Sequence, residues 1–439
     1  MKSTKRRGRR LVALAAAVLL CALSAAAEVR GQSVGVELQN MVMPASGGMG
    51  GVSIADPQDM LSALNGNPAT LSGFRGTRFS FGGVWADPSI DLSHTGNGDV
   101  PGINRFSQIS GTPGTLAGNI GVSQDTTALG LPATLGLGLI TTAGLGVDYA
   151  AAANSNYSSL TLQVLHMQPG LGVRLTDRLS AGANFGLGIA LFDGLFVGQS
   201  KATPAYGARG SLGLNFAVDS CTRIGGYYQT KERFLFEDAI ILQPFAAPAG
   251  LPLDVTMDLP PNLGLGIAHS GLAGGRLLLA ADVVCKFWEE ASLFSAIYRN
   301  QLVVQLGAQY SLPRAKLRAG YVWAENSMLD IPGSTIGGIA PPGAINALQY
   351  IQGLAPNINE HRISLGAGIP DLLPGIDMDL FAGGVFEDSG SFDLTSVTVS
   401  SYFVGGGLTW RFGRGSGCGC QVAPDRWCQA AGGGPQSGR

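Results

Sequence analysis

Hydrophobic and polar residues alternate along most of the chain from about Ser80 onward. In the segment 178–189 the odd positions are apolar, whereas the even positions carry glycine or polar side chains. The same alternation appears in the segment 316–324 and again near the end, from Tyr402 to Phe412. A period of two places every second side chain on one face of a pleated strand. The pattern therefore predicts an all-β protein whose strands have one apolar face.

Segments bounded by Gly, Pro, Asn or Asp predict fourteen strands, an even number as in bacterial single-chain barrels. They begin near Thr77, Leu116, Ala133, Tyr157, Asp177, Tyr206, Cys221, Leu253, Gly274, Asn300, Arg314, Asn357, Gly375 and Ser396. A soluble β-sandwich also alternates, but several of these strands exceed the usual length of about 5–6 residues in soluble sheets. Aromatic residues lie near the segment ends, as at membrane interfaces: Trp85, Trp323, Trp410 and Phe412. The pattern favours a membrane barrel.

The composition supports a transmembrane antiparallel β-barrel of about 14 strands. Hydrophobic residues make up 45% of the chain and charged residues only 13%. No stretch after the N-terminal region approaches the roughly 20 apolar residues of a spanning helix. Glycine is frequent, with 66 residues, and on the non-lipid face we expect it to leave space in the lumen and to permit curvature. The net charge of −2 gives no basic surface for nucleic acid.

The first 27 residues have the layout of a secretory signal peptide. A basic cluster precedes an apolar run from Leu11 to Leu23, and small residues lead to the expected cleavage after Ala27. Cys21 suggests a lipoprotein signal, but the preceding Leu20 is bulkier than such signals prefer. Arg9-Arg10 suggests twin-arginine export, which carries folded cargo, whereas a barrel crosses the inner membrane unfolded. We therefore expect general secretion and a location in the outer membrane.

Two regions flank the predicted barrel of residues 77–412. The block 28–76 does not alternate, and we expect it to be a hatch, a plug inside the lumen. The stretches Phe245–Pro252 and Asp330–Pro356 are predicted extracellular loops. Residues 413–439 form a Gly-rich tail, which we expect to be disordered. Its Cys418, Cys420 and Cys428 could form a local disulfide, while a metal site lacks a fourth ligand nearby.

Three short sequences resemble the FadL-type family of outer-membrane transporters for long-chain fatty acids and toluene-type hydrocarbons. The first is Asn67-Pro68-Ala69 just before the first predicted strand, with Ser53-Ile54-Ala55-Asp56 upstream. The second is the run 257–266, Met-Asp-Leu-Pro-Pro-Asn-Leu-Gly-Leu-Gly, which is similar to the family's Leu-Pro strand entry. The third is the closing strand from Tyr402 to Phe412. The resemblance covers roughly residues 47–412.

The resemblance implies a plugged barrel through which a hydrophobic ligand, a fatty acid or a hydrocarbon, diffuses passively and leaves sideways at a kinked third strand. Sideways exit keeps methylenes out of water, at about 0.8 kcal/mol each. The third predicted strand contains Gly136, Gly138, Gly144 and Gly146. These glycines either form the lateral gate or are lumen-facing small residues like the others. The implied partners are the hydrophobic ligand, outer-membrane lipid and the barrel-assembly machinery, and the expected state is a monomer.

The hatch motif has two interpretations. Asp56 and Asn67 could fasten the plug to the barrel wall by hydrogen bonds, or Asn67-Pro68 could simply form a turn. Four arginines are candidates for holding a carboxylate head group: Arg174, Arg178, Arg318 and Arg362. The histidines show no triad or metal-ligand spacing, and no nucleophile elbow or phosphate loop occurs, so neither catalysis nor a cofactor is expected. A porin-like channel and a structural or secretion-associated barrel remain alternatives.

Overall fold

The computed structural model describes residues 36–37, 39–194, 198–200, 202–242, 252–333 and 344–412. Its strands, in chain order, are β1 (Thr77–His94), β2 (Phe106–Ile109), β3 (Thr115–Asp125), β4 (Ala133–Asp148), β5 (Ser159–Arg174), β6 (Leu179–Gly194), β7 (Gly198–Ser200), β8 (Thr203–Ala217), β9 (Thr222–Gln229), β10 (Glu232–Leu242), β11 (Pro252–Leu259), β12 (Asn262–Leu272), β13 (Leu277–Lys286), β14 (Gln301–Ser311), β15 (Lys316–Ala324), β16 (His361–Leu373), β17 (Ile376–Phe392) and β18 (Thr395–Phe412).

The sheet closes on itself as an antiparallel barrel. β18 pairs with β1 from Thr77↔Phe412 to His94↔Thr395, and neighbours around the ring follow chain order except where β7, β10 and β11 leave it. The short β2 pairs only with the end of β1, so fourteen strands form the closed wall. Closure leaves no sheet edge whose backbone N–H and C=O groups are unpaired, and such groups could not form hydrogen bonds with lipid. The predicted barrel is confirmed. No described helix is long and apolar enough to cross a membrane.

Large apolar side chains cover the outside of the wall. On β6 the large apolar residues that are exposed are Phe185, Leu187, Ile189 and Leu191, and the positions between them are buried. β4 repeats this pattern only in its first half, with Leu135, Leu137 and Leu139 exposed. A continuous exposed apolar band is unfavourable in water and suits lipid. The outward faces are those that the alternation predicted.

The strand predicted to begin at Leu253 is not a barrel strand. β11 covers that position and pairs with β10, which also pairs with β7, in a separate three-stranded sheet. The wall resumes only at Asn262, after Pro260-Pro261, because proline has no N–H to donate to a ladder. The other predicted starts lie within four residues of the barrel strands.

The two ends of the barrel differ. The chain turns tightly at the end where β1 begins and β18 finishes, whereas most connections at the opposite end are long. Short turns are typical of the periplasmic side and long loops of the extracellular side. The predicted loop Asp330–Pro356 contains a helix (Ala344–Leu354), and the predicted loop Phe245–Pro252 lies almost wholly outside the described residues.

Residues 36–76, here called the N-terminal segment, contain three 3₁₀ turns (Gln39–Val42, Ser46–Met49 and Pro68–Gly73) and a short helix, α1 (Met60–Asn65). Asp59 caps α1 by accepting a hydrogen bond from the Ser62 N–H at 2.7 Å. The segment contacts inward-facing positions on wall strands around the barrel. Residues 28–35 of the predicted hatch lie outside the described residues.

The wall glycines that face this segment do not leave empty lumen, contrary to our interpretation of the sequence. A Cβ at Gly182 would lie 2.3 Å from the Ala69 nitrogen, and one at Gly320 would lie 2.0 Å from the Gly50 nitrogen. Real Cβ atoms do not approach backbone so closely, so only glycine lets the N-terminal segment contact the wall here.

The cysteines divide into three groups. Cys221, in the turn between β8 and β9, is disulfide-bonded. Cys285, on β13, is a free thiol. Cys21 and the tail cysteines Cys418, Cys420 and Cys428 lie outside the described residues, so their predicted roles are untested.

Candidate functional site

The extracellular half of the lumen is filled by one apolar cluster, here called the apolar chamber. Wall residues such as Leu162 and Phe192 meet Phe234 of β10 and the loop residue Trp288 in it. Loop aromatics pack ring against ring: Trp288 lies 5.2 Å from Phe294 and 5.3 Å from Tyr298 between ring centroids. Such pairs stabilise by about 0.5–1.5 kcal/mol beyond their buried area. The chamber offers an apolar environment directly beneath the extracellular loops.

A layer of buried polar side chains, to which Glu37 belongs, separates this chamber from residues 39–76 of the N-terminal segment. The inward-facing side chains of β5 pass through these regions in turn. Val164 lies in the chamber, His166 lies in the polar layer, and Gln168 donates from its amide to the Leu64 carbonyl of the N-terminal segment. The members of this polar layer, all buried, are Glu37, His166, Arg209, Gln229, Glu232, Asn262, Lys286, Gln301, Asn357 and Arg362. Burying polar groups is tolerated only when they are paired. An apolar molecule moving past this layer would therefore break favourable pairs.

At the height of the polar layer, β4 is bent by a bulge. Thr141 pairs with Leu165 of β5 and Ala143 with Val164, so Thr142 is the extra residue. The Thr142 hydroxyl is 2.6 Å from Nδ1 of His166, and Nε2 of that ring is 2.6 Å from Glu232 Oε2. These buried hydrogen bonds fasten the bulge to β5 and β10. Sequence reasoning missed this triplet because its members are distant in the chain.

Just before the bulge, β4 loses its neighbour β3. Their pairing ends at Asn119↔Ile140, although β4 continues to Asp148. Next to the bulge the freed edge is met by two N-terminal residues: the Gly144 N–H donates to the Val36 carbonyl at 2.9 Å, and Glu37 forms a bridge with Ala143. At the end of β4 the Gly111 N–H donates to the Asp148 carbonyl at 2.7 Å. Val36 and Glu37, here called the edge patch, thus occupy the part next to the bulge of the side of β4 that β3 has left.

The predicted gate glycines fall on the two sides of the bulge. A Cβ at Gly138 would lie 2.9 Å from the Leu64 side chain, and one at Gly136 would lie 3.4 Å from it, so these two glycines face the N-terminal segment. Gly144 and Gly146 lie above the bulge, and a Cβ at Gly144 would have the Leu162 carbonyl as its nearest neighbour, at 3.9 Å. The structure does not bring the four glycines together, and their gate role stays a prediction.

The hatch motif combines both interpretations given to it. The Asn67 side-chain oxygen accepts from the Ala69 N–H, capping the turn Pro68–Gly73, while its amide donates to Leu214 of β8 at 2.9 Å and to Ile54 at 2.8 Å. Asp56 forms an ion pair with Arg223 of β9. Asn67 thus makes a local cap and a wall contact together. Whether these bonds act as a releasable latch stays a prediction.

The Glu37 carboxylate of the polar layer lies between two cationic side chains and an amide. Glu37 Oε1 lies 3.0 Å from the Arg209 guanidinium and Oε2 lies 3.7 Å from Lys286 Nζ, and Asn262 donates to the same carboxylate at 3.0 Å. Burial alone would raise the pKa of Glu37, but the charges of Arg209 and Lys286 outweigh it and the pKa is lowered. Glu37 is therefore held as a carboxylate.

The four arginines proposed from sequence have different surroundings. Arg174 and Arg178 lie at the periplasmic turn between β5 and β6, away from the polar layer. Arg318 is buried but already bound to Asp379 at 2.6 Å and to Gln309. Arg362 belongs to the polar layer and, among the described residues, has no ion pair. Sequence reasoning missed Arg209 and Lys286, because strand periodicity marks an inward face without revealing which inward residues meet.

The other histidines are dispersed, as the sequence indicated. His94 lies 2.9 Å from the Thr395 hydroxyl, His269 3.0 Å from that of Thr222, and His361 2.8 Å from that of Tyr321. Within the described ranges no group of three or more His, Cys, Asp or Glu side chains could hold a metal ion.

Comparison with known proteins gives a match only at the level of structure. No family model and no curated protein matches the sequence. The toluene transporter TodX of P. putida superimposes with a TM-score of 0.61 at 19% identity, covering 84% of this chain and 98% of that one. A FadL homologue of Pseudomonas aeruginosa gives 0.62 at 14% identity, covering 87% and 100%. The toluene transporter TbuX of Ralstonia pickettii gives 0.57 at 18% identity, covering 86% and 100%. The chain therefore has the fold of the FadL-type outer-membrane channels.

Proposed function

We propose that this protein is a member of the FadL-type family that admits hydrophobic small molecules through the outer membrane by passive diffusion. The ligand enters between the extracellular loops, rests in the apolar chamber and leaves sideways through the wall beside β4. The observation that carries the proposal is the upper edge of β4 at the base of that chamber, where β3 no longer pairs with β4 and the edge patch lies against it instead. The likeness to transporters of toluene supports the choice of ligand class.

The polar layer favours sideways exit over passage to the periplasm. An apolar molecule that moved straight down would have to separate buried, hydrogen-bonded charges such as Glu37 and Arg209. Leaving one partner of such a pair uncompensated costs about 3–5 kcal/mol. A molecule that moves sideways at the same height enters lipid and keeps its apolar surface out of water.

The N-terminal segment serves as the plug in this proposal. Its contacts with inward-facing positions, from Gly182 on β6 to Gly320 on β15, support that role. A filled lumen disfavours the porin alternative, since polar solutes need an open aqueous path.

A deletion that straightens β4 tests the exit. Removing Thr142 takes out the bulge and lets β4 pair regularly with β5. A matched control is deletion of Glu387, because β17 has its own bulge between Val385 and Asp388, remote from β4. Uptake of labelled laurate and labelled toluene is measured in a host that lacks its own channel for such compounds.

We expect uptake to fall to the level of the empty vector without Thr142 and to stay at the wild-type level without Glu387. Heat-modifiable migration confirms that both barrels assemble. Wild-type uptake after the Thr142 deletion would refute lateral exit. Rapid swelling of liposomes in sugar solutions by the wild-type protein would instead support a porin, and no transport of either kind would leave the structural or secretion-associated role.

A further inference from the structure

The loop that joins β13 to β14, residues 287–300, here called the aromatic loop, places three rings in the apolar chamber. Trp288, Phe294 and Tyr298 are each no more than 1% exposed. The Phe294 ring stacks on that of Tyr298, with 8° between the planes and 5.4 Å between the centroids. Both rings meet Trp288 edge to face, at 69° and 77°. Phe294 therefore fills a ring-sized position that has an aromatic neighbour on two sides.

The indole N–H of Trp288 is an unused hydrogen-bond donor. Among the described residues of the chamber, the buried tyrosine hydroxyls all have a partner: Tyr149 donates to the Ile90 carbonyl, Tyr298 to the Ala355 carbonyl and Tyr350 to the Ser158 hydroxyl. In contrast, Nε1 of Trp288 is buried and has no partner in the part of the chain that the structure describes. An indole nitrogen can only donate, and a buried donor without an acceptor is unfavourable. The aromatic loop thus presents a free donor inside an apolar chamber.

The backbone next to Phe294 is strained. Leu293 has φ 70° and ψ −56°, the conformation of a γ-turn that a bulky side chain rarely adopts. Ser292, the residue before it, is held by its N–H, which donates to the Asp258 carboxylate at 3.3 Å. Strain of this kind concentrates where a segment changes conformation with its ligand. A rotation at Leu293 would relieve the strain and carry Phe294 away from Trp288, which would leave the position of the Phe294 ring open.

A neutral acceptor suits this position better than a carboxylate does. Trp288 belongs to the apolar cluster, so an oxygen bonded to its N–H is buried among apolar side chains. Lys286, two residues earlier, already pairs with Glu37. Burying a charge without a free counter-charge costs far more than burying a neutral oxygen that accepts a hydrogen bond.

We propose that Trp288 determines specificity in the apolar chamber and that the preferred ligand is an uncharged aromatic compound with a hydrogen-bond acceptor, such as an aryl ketone, ester or ether. The ligand ring takes the place of Phe294 beside Tyr298, and the ligand oxygen accepts from the Trp288 N–H. Leu293 leaves its strained conformation as Phe294 moves. This inference rests on the proposed function, and it names the chemical class of ligand that the chamber selects.

Binding of acetophenone and ethylbenzene to the full protein in detergent tests the inference. The two compounds share a ring and a carbon skeleton, but only acetophenone has a carbonyl oxygen. Equilibrium dialysis with labelled compounds gives the ratio of the Kd of ethylbenzene to that of acetophenone. Comparing this ratio between variants cancels the unequal partition of the two compounds into detergent. Trp288→Phe removes the donor and should lower the ratio by about threefold to tenfold, the effect of one hydrogen bond.

Two further variants separate the hydrogen bond from the packing. Trp288→Tyr shortens the side chain much as Trp288→Phe does but keeps a donor, so its ratio should stay above that of Trp288→Phe. Trp323→Phe is the matched control, because Trp323 alternates with the buried inward residues of β15 and lies on the outer face of that strand. Its ratio should equal that of the wild type.

A measurement on the wild type alone does not depend on the folding of any variant. The carbonyl carbon of bound ¹³C-labelled acetophenone should resonate downfield of its position in dodecane, because a hydrogen bond to the oxygen deshields that carbon. A resonance at the dodecane position would refute the inference, since the indole N–H would then stay against the aromatic rings.

The inference is also wrong if Trp288→Phe and Trp288→Tyr both keep the wild-type ratio, or if Trp323→Phe lowers it as much as Trp288→Phe does. Uptake of ethylbenzene by cells that carry the wild-type protein is measured separately. Its absence would refute the proposed function, whereas uptake together with an unchanged ratio in Trp288→Phe would refute the inference alone.

Discussion

Adding one methyl group to the lumen wall at Gly182 tests how tightly the N-terminal segment is seated. In the structure a Cβ at this position would lie 2.3 Å from both the Ala69 nitrogen and the Pro68 carbonyl carbon, and 2.5 Å from the Pro68 oxygen. All three are backbone atoms, so no rotamer change relieves the overlap. Contacts between carbon atoms are favourable near 3.5–4.0 Å, so the segment must move by about 1 Å.

That movement has a predictable cost. Overpacking a well-filled interior destabilises by about 1–3 kcal/mol. The displaced turn also carries Asn67, whose amide bond to Leu214 would lengthen from 2.9 Å. We expect Gly182→Ala to lower the Tm in detergent by a few degrees and to let sugars swell proteoliposomes, while the barrel still assembles.

Gly118→Ala is the matched control. Gly118 is exposed on the outer face of β3, and a Cβ there would meet nothing within 4 Å. The Tm and the sugar permeability of this variant should equal those of the wild type. If Gly182→Ala matched Gly118→Ala in both measurements, the close seating of the segment on the wall would be refuted. In the double variant, the losses of Tm caused by Gly320→Ala and Gly182→Ala should approximately add, since the two sites contact different parts of the segment.

Three further outcomes are expected. Asn67→Ala removes the amide that donates to the Ile54 and Leu214 carbonyls, and it should lower the free energy of unfolding by about 1–3 kcal/mol. Laurate uptake should fall while heat-modifiable migration stays intact. Unchanged uptake would rule out a latch. Glu37→Gln leaves Arg209 and Lys286 buried without their carboxylate, whereas Arg209→Met leaves Glu37 paired with Lys286; Glu37→Gln should therefore lower the Tm more than Arg209→Met does, as differential calorimetry would show. Because the pKa of Glu37 is lowered, its carboxylate stabilises the fold above the ordinary pKa of 4.5, and this stabilisation is lost as pH falls below that value. Glu37→Gln should therefore reduce the fall of the Tm at acidic pH. A Tm that falls with pH as steeply as in the wild type would contradict this.

The sequence by itself determined the barrel. Period-two alternation in segments such as 178–189 depends only on the pleat of a strand, and it specified which face meets lipid. The one failure on the wall, at Leu253, shows the limit of that argument. β11 has the composition of a strand, but which sheet it joins depends on partners distant in sequence, and the Pro260-Pro261 break decided where the wall resumed.

The Asn67-Pro68-Ala69 motif was visible in the sequence, but its wall partner Leu214 was not. Only the tertiary structure decided the candidate site. Glu37 meets Arg209 and Lys286 because the N-terminal segment lies against strands far along the chain, and Thr142 meets His166 and Glu232 at a bulge that alternation does not reveal. The glycines illustrate the same point: their small size is evident from sequence, yet only the contact at Gly182 shows that backbone fills the space. Strand periodicity is a local property, whereas pairing between inward-facing side chains depends on long-range closure of the barrel.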